Sequence, residues 1–438
     1  MDLTSFGAAE TVTGSKSFLK TEDSYIMIDS GMFQGEDDKL NLDNIEVDFS
    51  KVDCIFVTHA HYDHCGYLPF AIKKGFRGQI FCTQQTRDLI DIVLNDSFKI
   101  LLEKENLPES LMYTQPDLEL AISCLKVIKL NDITKFNDFS FEFFKAGHIL
   151  GAASLVIESQ NKRIWFSGDL GRPDHSIHSA PKLPSNIDHL VIESTYGNRD
   201  HEDKAERSKK MSRAIKHIKE TNGVLLIPSF AIARTQELVV LIHNFLQDHP
   251  DLTCPVLLDS PMAIAASNVY LKYADELNID SDKFKEAFKR IKMIEFPKDN
   301  KLLEKKNKPY ILISSSGMLT GGKVLKHFEM LAENKKNFIL FTGFQAIDTL
   351  GRQLLEGADQ IPFKGRTLKV QATIDKLTSL SAHADESELI SFIKGIKPKN
   401  KIILNHGTQD SISSFKDDLQ SQLSNEIISL KKQEPIEL

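Results

Sequence analysis

A chain of 438 residues exceeds what one compact core normally uses, and 41% hydrophobic with 26% charged side chains is the composition of an ordinary folded protein, which excludes a disordered or fibrous class. The net charge of −7 argues weakly against a dedicated nucleic-acid binder, although it says little about a local groove. No stretch of eighteen apolar residues occurs, and Cys54, Cys65, Cys82, Cys124 and Cys254 make neither a CxxC pair nor an even framework, so no membrane and a reducing cytoplasm are expected.

Leu3 to Phe6, Ser17 to Lys20 and Ser24 to Ile28 read as strands separated by Gly and Thr turns. Asp29 ends the third strand. A carboxylate there reads equally well as a turn-former and as a group orienting a metal-binding histidine from behind. Cys54 to Thr58 is a short buried strand that delivers His59, Ala60, His61, Tyr62, Asp63 and His64 onto one loop. Three imidazoles and a carboxylate so close together are a poor solution to packing, because each is costly to bury alone and protonated rings repel. Metal ions remove that conflict. Imidazole nitrogen and carboxylate oxygen suit zinc, and four such ligands exceed what one catalytic ion takes, so the loop suggests two neighbouring sites.

Thr86 to about Glu105 has the spacing of an amphipathic helix covering the sheet. Phe139, Phe141 and Phe143 then lead a strand into Ala146-Gly147-His148-Ile149-Leu150-Gly151, where glycines let backbone approach a ligand closely and make His148 a candidate metal ligand. The strand Ile164 to Ser167 closes on Gly168-Asp169, a second strand-end carboxylate. Asp188 to Ile192 ends at Glu193.

From about Asn198 to Gly365 helices and strands alternate: helices near Ala205 to Lys219 and Arg234 to Leu246, strands at Val224 to Ile227, Pro255 to Leu258, Tyr310 to Ser314 and Phe338 to Thr342. That alternation predicts a second α/β lobe with a parallel sheet. Its Ser- and Gly-rich strand-end turns, with Ser315 and Ser316 among them, offer hydroxyls and amides to an anion, and Arg234 and Arg352 could add positive charge. The basic helix around Lys209, Arg213 and Lys216 reads equally as a solvated face. A strand at Leu368 to Ile374 is expected to return the chain to the first lobe, before Ser381-Ala382-His383-Ala384-Asp385 and a strand from Lys401 to Leu404. His406 follows that strand before a glycine, the remaining nitrogen ligand that a second ion would want. The expected division is 1–197, 198–365 and 366–438.

Asp29, the HAHYDH loop, His148 in AGHILGAAS, Asp169 in SGDLGR, Glu193 in ESTYGNR, His383 in SAHAD and His406 in LNHG, with SFAIARTQE, DSPMA, SSSGMLTGG and GFQAIDTLGR, together resemble the β-CASP nucleases of the metallo-β-lactamase fold. The resemblance covers practically the whole chain. It implies an α/β fold in which a metallo-β-lactamase αββα sandwich is split by an inserted β-CASP lobe. It also implies two Zn2+, one on His59, His61 and His148, the other on Asp63, His64 and His406, with Asp169 bridging and Asp29 in support. Two such ions lower the pKa of a shared water and favour in-line displacement at phosphorus, so a bridging hydroxide is the expected nucleophile. His383 oriented by Glu193 is the expected proton donor to the departing sugar oxygen, and Asp63 counts with them in the catalytic group.

The implied activity is cleavage of single-stranded RNA, internal or also from the 5′ end, in a cleft between the lobes with Ser315, Ser316, Ser381 and Arg234 near phosphates. DNA-directed members typically lack histidine at the position of His406. Two other readings stand beside it: a small-molecule hydrolase of the glyoxalase II or lactonase type, which shares the HxHxDH loop but needs no inserted lobe, and a silent RNA-binding scaffold, which would lack ligands. Thr408, Asp348 and Ala233 depart from the usual pattern, where relatives favour an acidic residue, glycine and glycine. Oligomeric state is left open, a homodimer included.

Overall fold

The computed structural model describes residues 1–43, 45–103, 107–201, 204–295, 303, 309–343, 345–346, 349–377 and 380–438; Asp348 lies outside them. The chain divides into two compact units, Met1–Asp200 with Ala382–Leu438, and His201–Ser381.

In the first unit, among the described residues, two seven-stranded sheets form. One runs Ile436–Glu437, Asp2–Gly7, Lys16–Lys20, Tyr25–Ile28, Cys54–Phe56, Gln79–Cys82, Leu125–Val127; the other Glu426–Ser429, Lys401–Asn405, His189–Glu193, Lys162–Phe166, Ala153–Ser159, Phe139–Lys145, Thr134–Phe136. The period-two pattern explains how they meet. Phe139, Phe141 and Phe143 are buried while Ser140 and Glu142 between them are not fully so, which turns the three rings to one face. There they meet Phe56 of the other sheet, at centroid distances of 6.3, 4.6 and 6.0 Å. Leu3, Ile26, Phe81, Leu155, Ile164 and Ile403 complete the core between the sheets. Each fully buried side chain of this size is worth roughly 1.5–3 kcal/mol in transfer from water. The outer faces are covered by amphipathic helices, Gln84–Glu103 through Leu89, Ile90 and Val93, and Gln409–Gln422 through Ile412, Phe415 and Leu419, which gives the αββα layering.

In the second unit Ile291–Met293, Val256–Leu258, Tyr310–Ser314, Val224–Pro228, Phe338–Phe341 and Thr373–Lys376 lie side by side in that order. All the pairings are parallel. Residues 224–228 and 310–314 are buried throughout, as strands covered on both faces must be. The expected return of the chain at residue 366 is corrected by this topology. The single strand expected over 368–374 is two: Arg366–Lys369 pairs with Gln360–Phe363, and Thr373–Lys376 joins Phe338–Phe341. Hydrogen bonding and burial of Leu368 with Ile361 and Leu312 therefore keep this stretch in the second unit until Ser381.

Candidate metal centre

Most candidate residues of the first unit follow the C-terminal ends of strands with a parallel partner, His148 follows the antiparallel strand Phe139–Lys145, and the register brings them together. Ile28 pairs with Phe56, so the next residues, Asp29 and Val57-Thr58-His59, emerge side by side. Glu193 pairs with Asn405, which puts His406 next to Glu193, and Ser167 N–H donates to Val191 O at 2.9 Å, which carries Asp169 to the same rim. Ala153 N–H donates to Thr58 O at 2.8 Å, tying the two sheets at this edge. The glycines around His148 have a different use from the one expected. A Cβ on Gly147 would come within 2.4 Å of Ser179 O, and one on Gly151 within 2.6 Å of Thr86 N, so the close approach is to neighbouring backbone and it fixes the loop that carries His148.

His59 Nε2 and His148 Nε2 each approach His61 Nδ1 to 3.1 Å, and Asp169 Oδ2 is 3.5 Å from His59 Nε2 and 3.6 Å from His148 Nε2. A tetrahedron of ligands about 2.0–2.1 Å from zinc has edges of about 3.3 Å. These four groups match that spacing. The same Asp169 oxygen is 3.4 Å from His64 Nε2, which lies 3.1 Å from His406 Nε2. Asp63 Oδ2 is 3.8 Å from His64 and 3.6 Å from His406, so a second, looser set shares Asp169 with the first. Asp169 Oδ1 is buried without a hydrogen-bond partner, an orphan that a cation would satisfy. The donor set fits divalent metal.

For His64, His59 and His406, contacts on the far side of the ring fix which nitrogen points inward. His64 Nδ1 donates to Asp29 Oδ2 at 2.7 Å. Asp29, at φ 58°, also accepts from Thr58 N–H at 2.8 Å and from its hydroxyl at 3.0 Å, so it serves the turn and the histidine at once. The Thr58 hydroxyl in turn faces His59 Nδ1 at 3.1 Å, and that of Thr195 faces His406 Nδ1 at 3.1 Å. Thr58 and Thr195 were not singled out in the sequence, although one directly precedes the HAHYDH loop and the other follows Glu193. Cys65 is no ligand: its thiol donates to Ala60 O at 3.6 Å.

Burial drives the charge states. It holds His59 and His148 well below the usual imidazole range and His61 down to about 4, which keeps their lone pairs available to a metal. Around His64 burial acts the other way from its neighbours, and Asp169, Asp29 and Asp63 prevail, raising it well above that range. Asp169 is itself held well below the usual carboxylate range by His406, His64 and His59 against the effect of burial.

His383 and Glu193 stand beside this cluster. His383 Nδ1 donates to Glu193 Oε2 at 2.9 Å, and Glu193 Oε1 accepts from Leu170 N–H at 2.6 Å, the residue after Asp169. The His383 ring is 4.4 Å from that of His148, and its Nδ1 is 3.9 Å from Asp169 Oδ2. Burial opposes its charge, but Glu193, with Asp169 and Asp63, pushes it up to about 9. His383 and Asp63 keep 20% and 16% of their side chains exposed, against 2% or less for His64, Asp169 and Glu193, so the cluster opens to solvent on their side.

The expected substrate residues belong to the other unit. Ser316 Oγ accepts from Thr320 N–H at 3.0 Å and Gly321 N–H at 3.3 Å, which closes its own loop, and Ser315 precedes it across a cis peptide. Ser381 is buried. Arg234 is buried too, with Nη1 4.0 Å from Glu237, so it is a far less open cation than its place after a turn suggested. The two departures that can be seen have physical accounts. Thr408 caps helix Gln409–Gln422 by accepting from Ser411 N–H, a task an acidic residue performs equally. Ala233 stands at φ 64°, ψ −60°, with Arg234 N–H donating to Ile232 O at 2.8 Å, the strained γ-turn in which glycine costs least.

Three family models match the chain: a Beta-Casp domain over residues 235–354, a Zn-dependent metallo-hydrolase RNA specificity domain over 367–430, and the anti-Pycsar protein Apyc1 over 4–192. A probable RNase of Methanocaldococcus jannaschii is 34% identical, covering 93% of this chain and 94% of its own. A ribonuclease of Thermus thermophilus is 29% identical over 94% of both. Cleavage and polyadenylation specificity factor 73 of Drosophila melanogaster is 30% identical over 95% of this chain, which spans 61% of that protein. The crystal structure of a protein of unknown function from Enterococcus faecalis superposes with a TM-score of 0.55 at 15% identity, covering 100% and 99% of the two chains, and this likeness shows the fold alone.

Proposed function

This chain belongs to the β-CASP family of metallo-β-lactamase-fold hydrolases, and from that premise we propose that it is a zinc-dependent ribonuclease cutting single-stranded RNA internally, with 5′-exonucleolytic cutting as a second mode. In this reading His59, His61 and His148 hold one zinc ion, Asp63, His64 and His406 the other, and Asp169 serves both. Bound there, the metal supplies Lewis-acid activation of water for attack at phosphorus and neutralises charge on the phosphoryl oxygens.

The chain's own residues do the rest. Asp29, Thr58 and Thr195 hold His64, His59 and His406 with their Nε2 atoms inward, so the ligand set is organised before any metal enters. Glu193 fixes His383 through Nδ1, which leaves the proton on Nε2 as the one to pass to the 3′ oxygen of the leaving strand. That oxygen departs poorly as an alkoxide, so a donor there lowers the barrier where esters with good leaving groups need none. The contact of Glu193 with His383, on the open side of the ligand cluster, is the observation that carries this reading. It separates a phosphodiesterase from a glyoxalase II or lactonase type of hydrolase. A silent scaffold is disfavoured because all the ligand-type side chains are present. Ser315, Ser316, Ser381 and Arg234 enter the proposal as phosphate contacts; Ser316 accepts two amide bonds and lies 3.1 Å from the Thr320 hydroxyl, so its O–H would turn from Thr320 to a phosphate.

The test is His383→Ala, with metal content and RNA affinity measured alongside cleavage. A loss of roughly 10²–10⁴-fold in rate at unchanged metal content is expected, the usual range for a proton donor. On a nitrophenyl phosphodiester, whose leaving group needs no proton, the same variant should approach the unsubstituted protein. Equal losses on both substrates would refute the assignment.

A further inference from the structure

The second unit has a groove that the reaction at the metal centre does not use. It is about 680 Å³ in volume and lined by Lys209, Arg213, Lys216, His217, Glu220 and His249, with Ser208 and Ser212. The helix Lys204–Thr221 turns Ile215 and Ile218 into the core and leaves Lys209, Arg213 and Lys216 exposed. Their spacing of four and three residues aligns them on one face, about 6 and 4.5 Å apart along the axis, comparable with the separation of successive phosphates on an extended strand.

The charge is not the property of one helix alone. His217 Nε2 donates to Lys335 O at 3.2 Å and the Thr221 hydroxyl to Lys336 O at 2.7 Å, so the fold brings an exposed Lys335-Lys336 pair to the end of the same row. Among the described residues, Glu220 of the lining and two surface ion pairs oppose it. Lys209 is 3.5 Å from Glu206 and Arg213 3.5 Å from Asp375, with Lys209 and Arg213 side chains 75% and 69% exposed, and pairs that open hold their charges loosely. In a chain of net charge −7 such a row is a local reversal of sign. His249, whose ring stacks on Phe245 at 4.3 Å, adds a flat polar surface at its wall.

We infer that this groove binds the phosphodiester backbone of single-stranded RNA beyond the segment being cut, as a sequence-independent auxiliary site. The inference rests on RNA being the substrate. Phosphate contacts of this kind position a strand without reading its bases, and each neutralised phosphate contributes about 0.7 to the slope of affinity against salt on logarithmic axes. Strands long enough to occupy the groove and the metal centre together therefore gain affinity from it, and strands that fill one site alone gain little.

The test uses the full chain and fluorescein-labelled oligouridylates of about 8 and about 30 nucleotides, phosphorothioate-linked so that they stay intact, with binding read by polarisation at several salt concentrations. Lys209→Glu with Lys216→Glu should weaken the long strand about tenfold, leave the short one within about twofold and flatten the salt slope by about 1.4, for two phosphates lost. Lys20→Glu with Lys135→Glu, an equal charge change on exposed residues of the first unit, should do little. If the two double variants match each other on both strands, the groove has no such role. Failure of the RNA reading is seen separately, as unmodified RNA left uncut by the unsubstituted protein.

Discussion

Asp169 shows how one side chain can govern a whole centre: a single oxygen lies within 3.6 Å of His59, His64 and His148 at once. Asp169→Ala should lower metal content in both halves of the cluster, read by elemental analysis after zinc-supplemented expression; loss of one ion only would show that it serves one half. The two halves should also differ in acid. Protons compete with metals for imidazole, and burial keeps His61 down to about 4 with His59 and His148 well below the usual range, whereas Asp169, Asp29 and Asp63 raise His64. As pH falls, the ion beside His64 should leave first, because its ligand gains a proton at higher pH. Stepwise dialysis with metal analysis would show two losses, and a single cooperative loss would contradict the inequality. Most of the side chains that cluster here were legible in the sequence as candidate ligands, because imidazoles and carboxylates at strand ends have few structural uses. Thr58 and Thr195 were not, since a hydroxyl that sets a tautomer looks like any other turn residue.

At the scale of elements, caps and turns explain two residues that only looked irregular. Thr408→Ala should cost about 1 kcal/mol of stability through loss of the N-cap, while Thr408→Asp should be nearly neutral. Chemical denaturation midpoints would check both, and equal losses would place the effect elsewhere than at the cap. Ala233→Gly should stabilise by about 1 kcal/mol, by relieving backbone strain against a modest entropic cost. A lowered midpoint would refute the strained turn. Strands with strong patterns were read correctly: the alternation of Phe139, Phe141 and Phe143 and the continuous apolar runs at 224–227 and 310–314. The stretch from Arg366 to Lys376 was misassigned because its partner strands are set by long-range pairing, and a short strand carries no mark of the sheet it joins.

On the scale of the whole molecule, the alternation of elements, which changes character after Glu193, marked a second α/β lobe, and the resemblance to the β-CASP nucleases implied that it is inserted into a split sandwich. The sequence could not show where the insertion ends, which depends on hydrogen bonds between residues far apart in the chain. The first unit also concentrates buried histidines and carboxylates whose charges a cation would reconcile, so its stability should depend on metal. Chelation should lower the melting temperature, because metal binds the folded state alone in a preformed site; an unchanged value would mean that the cluster is satisfied without it.

The central claim is that this centre cuts RNA by metal-assisted hydrolysis. Its most direct test is incubation of the zinc-loaded protein with 5′-labelled single-stranded RNA, the matching DNA and a thioester, resolved by product length. The expected result is shortened RNA, abolished by chelator and by Asp169→Ala, with the thioester intact; RNA left whole while the thioester is hydrolysed would contradict the account.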